Sequence, residues 1–71
     1  MKTYHLTIVE HIIEGEEDGQ YLTRLVPVFE SPVYTGVIPR RHDRLLIKGR
    51  QVEVFNRVVD IESDTITLEV C

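Results

Sequence analysis

The segment around Gly49 most constrains the fold, because it has the pattern of a β-hairpin. Apolar residues 45–47 lead into a turn at residues 48–50, and a second β-branched and aromatic run follows at residues 52–55. A tight turn needs a positive φ, which glycine adopts at little cost. The β-branched residues and the glycine favour strands over a helix for such short apolar runs. We therefore predict two antiparallel strands joined at Gly49.

The outgoing strand of this hairpin carries apolar residues on both of its faces. Val52 and Val54 share one face, and further along the apolar positions change to Val58, Val59 and Ile61. Either burial on both sides or a bulge that changes the facing produces this pattern. We predict that this strand is the central strand of the domain.

The first half of the chain predicts a second, longer hairpin. Residues 3–13 alternate between apolar and polar side chains, residues 14–19 have the acidic and glycine-rich composition of a turn, and residues 21–29 alternate again. Period-two alternation is typical of half-buried strands. The alternation places Phe29 on the face opposite Val26. Pro27 has no backbone N–H to donate a ladder hydrogen bond, so we expect the second strand to be an edge strand or to be bulged there.

Residues 31–39 predict an ordered connection, because Pro32, Gly36 and Pro39 punctuate them. This connection could hold a short strand at Val33–Tyr34 or a turn of 3₁₀ helix. We expect its apolar side chains to cap the open end of a barrel; these are Val33, Tyr34, Val37 and Ile38.

A turn at residues 62–65 and an alternating strand at residues 66–70 complete the pattern. Five strands joined by short turns in a chain of this length predict one domain over residues 1–71. The predicted fold class is all-β: a small, five-stranded, antiparallel, partly open barrel.

The second half of the chain also resembles a known fold family. Pro39 precedes a polar turn, Asp43 opens a strand, Gly49 turns it back and Val54 lies in the returning strand. This spacing resembles small bacterial domains with an SH3-like barrel. The aromatic pairs of peptide-binding SH3 domains are absent, so the resemblance implies a fold and not a ligand.

The size and cysteine content of the chain limit how its fold can be stabilised. A 71-residue chain buries a small core, and its only cysteine is Cys71, so no internal disulfide can form. Packing of the barrel, oligomerisation or both must supply the stability that a small core without a disulfide lacks. The N-terminal residues have neither the pattern of a signal peptide nor that of a membrane span. We expect a cytoplasmic protein without a membrane partner.

Charge is unevenly distributed along the chain. Residues 40–57 hold six basic and two acidic residues, a net charge of +4, whereas the rest holds two basic and ten acidic residues, a net charge of −8. This asymmetry favours an acidic partner or head-to-tail association with a second copy.

No constellation of residues predicts catalysis or a metal site. His5 and His11 are too far apart along one strand to share a metal. The pair His42-Asp43 could form an oriented base, or His42 could approach Cys71. Ser31 and Ser63 are explained by turn chemistry, and the carboxylates of residues 16–18 lack the ligand spacing of a calcium loop. We predict neither an enzyme nor a cofactor.

The function that these features favour is a protein-interaction or self-assembly module, with a second copy or another protein as partner. The alternative is a small nucleic-acid-binding barrel that contacts phosphates through its basic stretch. The acidic net charge and the lack of aromatic residues within that stretch weigh against the alternative. In either case the candidate binding residues are the same: Arg40, Arg41, His42, Arg44, Lys48 and Arg50.

Overall fold

The computed structural model describes residues 2–71, which form five β-strands in one sheet. The strands are β1 (Tyr4–Glu17), β2 (Gln20–Tyr34), β3 (Arg44–Ile47), β4 (Arg50–Asp60) and β5 (Thr65–Val70). Their order across the sheet is β2-β1-β5-β4-β3. The sheet curls into a half-barrel, which confirms the all-β, partly open barrel. Within residues 2–71, no helix is long and apolar enough to cross a membrane.

The sheet is mixed, which corrects the prediction of a wholly antiparallel barrel. β1 runs parallel to β5, with His5 opposite Thr65 and Glu10 opposite Val70, while the other neighbouring pairs are antiparallel. The central strand is β5 and not β4, as the sequence pattern had indicated. β5 pairs with β1 at one edge and with β4 at the other, and its alternate side chains are fully buried.

The core lies on the concave face of the half-barrel. Seven apolar side chains are buried there, contributed by β1, β4 and β5: Leu6, Ile8, Val52, Val54, Ile66, Leu68 and Val70. Each set recurs at every second position, as the pleat of a strand requires. The predicted faces of β1, of residues 52–54 and of β5 are therefore confirmed.

A bulge explains the two-sided apolar pattern of β4. The register with β5 shifts between Val54 and Asn56, so that one extra residue, Phe55, lies in β4. Beyond the bulge the apolar side chains Val58 and Val59 are exposed. Of the two explanations that the pattern allowed, the change of facing is right and burial on both sides is wrong.

β2 is an edge strand and also carries a bulge at Pro27, as predicted. Ile8 pairs with Phe29 while the next residue of β1, Val9, pairs with Pro27, which leaves Val28 as the extra residue. The extra residue moves Phe29 onto the concave face, where Phe29 is the cross-strand neighbour of Ile8. The prediction that Phe29 lies on the face opposite Val26 is therefore wrong.

The connection between β2 and β3 is shorter than expected, because β2 continues to Tyr34. Tyr34 and Ile38 pack against the core, as the capping prediction required. Val33 and Val37 are exposed and cap nothing. The Tyr34 hydroxyl donates a hydrogen bond to the Val37 carbonyl oxygen at 2.6 Å, which holds the connection against the end of β2.

Two tight turns share one backbone geometry. Asp18-Gly19 joins β1 to β2 and Lys48-Gly49 joins β3 to β4; both residues of each turn have positive φ, 52° and 78°. Positive φ at both positions is the requirement of a type I′ hairpin, whose twist matches that of the strands. The predicted acidic turn at residues 14–19 is therefore too long, because the strands extend to Glu17 and restart at Gln20.

Glycine substitutions test this geometry. A Cβ at Gly49 or at Gly15 would meet no atom within 4 Å, but only Gly49 has a left-handed φ. We expect Gly49→Ala to lower the free energy of unfolding by about 1 kcal/mol. Gly15→Ala should leave it unchanged or raise it by up to about 1 kcal/mol. Chemical denaturation measures both, and equal losses in the two variants would contradict the turn geometry.

Candidate interaction groove

An apolar groove lies where the half-barrel fails to close. Its floor is formed by Leu6 and Ile8 of the core, one wall by Phe29 and Tyr34 of β2, and the other by residues 45–47 of β3 together with Pro39. The cavity volume is about 190 Å³. The groove therefore lies over buried core residues, between the two edge strands of the sheet.

The groove stays open because of the lengths and pairing of its strands. β3 has four residues and pairs only with residues 50–53 of β4, so its other edge is unpaired. β2 pairs with β1 alone, and Pro27 and Pro32 remove two of its donors. Strands with unpaired edges recruit further strands unless they are covered.

Basic side chains flank this groove along the chain. Arg40 follows Pro39 and Lys48 follows Ile47, each next to a residue that lines the groove, whereas Arg44 lies on the other face of β3 from Leu45, beside Glu53. We call Arg40, Arg41 and Lys48 the basic rim. All three are exposed, and within residues 2–71 none of them has a carboxylate within ion-pair distance.

Arg50, the fifth predicted cation, lies at a different place in the fold from the basic rim. Its guanidinium donates a hydrogen bond to the Glu10 carboxylate, which is the buried charged group of the concave face. This hydrogen bond lowers the pKa of Glu10 against the opposing effect of burial, and it raises the pKa of Arg50. Arg50 therefore joins β4 to β1 at one end of the core and is a structural cation.

The turn that carries Arg40 and Arg41 of the basic rim is held by its own hydrogen bonds. The Asp43 carboxylate accepts the Arg40 amide at 2.8 Å, and the His42 amide donates to the Val54 carbonyl oxygen at 2.7 Å. His42 adopts a φ of 77°, in the left-handed region that non-glycine residues rarely occupy. The backbone of residues 40–43 is thereby fixed against β4.

The structure separates the residues that were considered for catalysis. The His42 ring faces Glu53 at 3.5 Å, while the Asp43 carboxylate is engaged by the backbone, so the two do not form an oriented base. Cys71 pairs with Glu53 on the β5 side of β4, whereas His42 lies on the β3 side. Within residues 2–71, no three metal-binding side chains lie together.

A polar cluster that the sequence pattern did not predict occupies the convex face. The His11 ring lies 3.1 Å from one Glu69 carboxylate oxygen, and Asn56 donates to the other. His11 also packs edge-on against Phe55, with ring centroids 4.6 Å apart. The hydrogen bonds from Asn56 and His11 lower the pKa of Glu69. The cluster joins β1, β5 and β4.

A second depression lies beside Cys71, lined by Arg44, Gln51, Val52 and Glu53. Its volume is about 250 Å³, larger than that of the apolar groove. Arg44 and Glu53 pair across β3 and β4, so opposite charges lie side by side here. We regard the apolar groove as the stronger candidate because it opens onto buried core residues.

Comparisons with protein-family models, with curated proteins and with solved structures give no match to this chain. The resemblance to SH3-like domains therefore stays a prediction. The candidate site rests on the geometry of the groove and its charged rim.

Sequence reasoning found the basic rim but missed the groove beside it. Phe29 was predicted on the wrong face, because one bulge inverts the alternation after Pro27. Pro39 and residues 45–47 were identified as parts of a turn and a strand, but nothing local shows that β3 lies across from β2. The only signal available was Pro27 itself, which marks where the alternation of β2 can change.

Acid sensitivity tests the convex cluster. Because the pKa of Glu69 is lowered in the folded state, its stabilising contribution is complete above the ordinary value of 4.5 and is lost as the pH falls through the folded value. We expect the free energy of unfolding of Glu69→Gln to fall less than that of the wild type when the pH is lowered from about 5 to about 3.

The control for this measurement is Glu17→Gln, at the exposed end of β1. It should keep the acid dependence of the wild type. Urea denaturation at each pH gives the comparison, and an unchanged acid dependence in Glu69→Gln would show that the cluster does not stabilise the fold.

Proposed function

We propose that this protein is a non-catalytic protein-interaction module that assembles with further copies of itself through the apolar groove. The observation that supports the proposal is the open side of the half-barrel, where core residues Leu6 and Ile8 border a groove between two edge strands, each with one unpaired edge. A small domain gains stability when a partner covers such a surface, since the burial of apolar area is favourable.

The size of the groove favours a protein side chain as its occupant. Sites for small molecules usually enclose about 300–1,000 Å³, and this groove encloses about 190 Å³. An engineered apolar cavity of about 150 Å³ in another protein is large enough for benzene. One aromatic or aliphatic side chain of a partner therefore matches the available space.

The basic rim adds selectivity to the apolar contact. Arg40, Arg41 and Lys48 carry three positive charges on a chain whose net charge is −4. Their charge attracts an acidic surface, and such attraction raises association rates and is screened by salt. A second copy offers that acidic surface.

The second candidate is single-stranded nucleic acid, and the exposed, unpaired rim is the observation that favours it. Phe29, partly exposed in the groove, would be the stacking platform that such binding requires. We expect a labelled oligonucleotide to bind weakly or not at all at low salt. Tight binding that falls steeply as salt rises would favour this candidate over self-assembly.

Solution mass tests self-assembly. We expect light scattering on a sizing column to give the wild type a multiple of the 8.3 kDa monomer mass, decreasing at high salt. Phe29→Asp places a charge in the groove and should yield monomer, because a buried unpaired carboxylate opposes docking. A wild type of monomer mass at both salt concentrations would refute the proposal.

Ile61→Asp is the matched control. Ile61 is 82% exposed in the turn between β4 and β5 and does not line the groove. It receives the same change of apolar side chain to carboxylate, so it should assemble like the wild type. If the mass fell equally in both variants, the loss of assembly would be due to the added charge and not to the groove.

A further inference from the structure

The hairpin of β1 and β2 extends well beyond the half-barrel. β1 pairs with β5 only as far as Glu10, but it continues to Glu17 with β2 as its partner. Residues 11–26 therefore form a two-stranded ribbon, and residues 11–17 of β1 rise about 20 Å. The molecule measures 49 × 28 × 19 Å, which reflects this projection.

The ribbon carries apolar side chains that its own chain leaves uncovered. Tyr21 is 68% exposed, and Ile13, Leu22 and Leu25 are also exposed. An isolated two-stranded ribbon is at best marginally stable in water. Several large apolar side chains on such a ribbon indicate a surface that a partner covers.

The tip of the ribbon is acidic as well as apolar. We define it as residues 16–22, which contain Glu16, Glu17 and Asp18 beside Tyr21 and Leu22. The register pairs Glu16 with Tyr21, so that a carboxylate and an aromatic ring are cross-strand neighbours. The groove has the complementary composition, with an apolar interior and the basic rim next to it.

We propose that the ribbon tip of one copy docks into the groove of the next, with the Tyr21 ring in the cavity and the tip carboxylates against the basic rim. This inference rests on the proposed self-assembly and names the element that occupies the groove. Phe29 lines the cavity, so Tyr21 would form an aromatic pair with it. Each copy has one tip and one groove, so the contact joins two different surfaces.

A contact between two different surfaces has a defined consequence for the assembly. It propagates head to tail and gives a ring if the rotation closes or a filament if it does not. A dimer built on contact of tip with tip, or of groove with groove, would use only one of these two surfaces. The two arrangements respond differently when variants are mixed.

The test combines a tip variant with a groove variant. Tyr21→Thr removes the ring from an exposed strand position and keeps β propensity, while Phe29→Asp blocks the groove. We expect each variant alone to be an 8.3 kDa monomer. An equimolar mixture should give a one-to-one heterodimer of twice that mass, because one intact tip and one intact groove remain.

Charge reversal provides a second, independent arm. Glu16→Lys with Glu17→Lys should abolish assembly, as should Arg40→Glu with Arg41→Glu, and mixing the two double variants should restore association. Glu62→Lys, an exposed reversal in the turn between β4 and β5, is the control and should assemble like the wild type.

The outcomes separate this inference from the proposed function. Assembly of Tyr21→Thr at wild-type mass, together with a monomeric Phe29→Asp, would overturn the tip as occupant and leave groove-mediated self-assembly standing. A mixture that stays monomeric would overturn the head-to-tail contact. A monomeric wild type would overturn both proposals.

Discussion

The position of β5 between β1 and β4 is the constraint on which the rest of the structure depends. Its buried side chains, Ile66, Leu68 and Val70, join two hairpins that otherwise have no common core. Because the sheet is built outward from this strand, its two ends are β2 and β3, and these do not meet. The open groove is therefore a direct result of the strand order. A closed barrel would have buried Phe29, Leu45 and Ile47 and left no candidate site.

Much of the fold could be predicted from local patterns. Alternation located β1, β2 and β5, and glycine located the hairpin at Lys48-Gly49, because side-chain period and backbone φ are properties of neighbouring residues. The parallel pairing of β1 with β5 could not be predicted, since it joins distant parts of the chain. The bulge in β2 was expected from Pro27, but its effect on Phe29 requires the actual register. The candidate site depends on both of these, so sequence reasoning found only its charged rim.

The charges of the molecule divide into those that the fold uses and those that it leaves available. Glu10 with Arg50, and Glu69 with Asn56 and His11, link strands of the sheet, and these hydrogen bonds lower the pKa of each carboxylate. The basic rim and the ribbon tip lie outside these pairs. Their opposite signs occur on separate elements, one beside the groove and one at the end of the ribbon. This division is the physical basis for expecting one copy to recognise another.

The same strand order also determines how the chain reaches its native state. Residue 5 must pair with residue 65, and the first hairpin shares no core with the rest of the chain until β1 pairs with β5. Contacts between residues so far apart cost the entropy of closing a long loop before they contribute favourable free energy. Proteins dominated by such contacts fold slowly. The two hairpins can form early, because their partners are adjacent in the chain. β5 follows β4 after a short turn and can also pair with it early, so we expect the pairing of β1 with β5 to be the slow step. Until it occurs, both halves of the chain expose the apolar faces that later become the core.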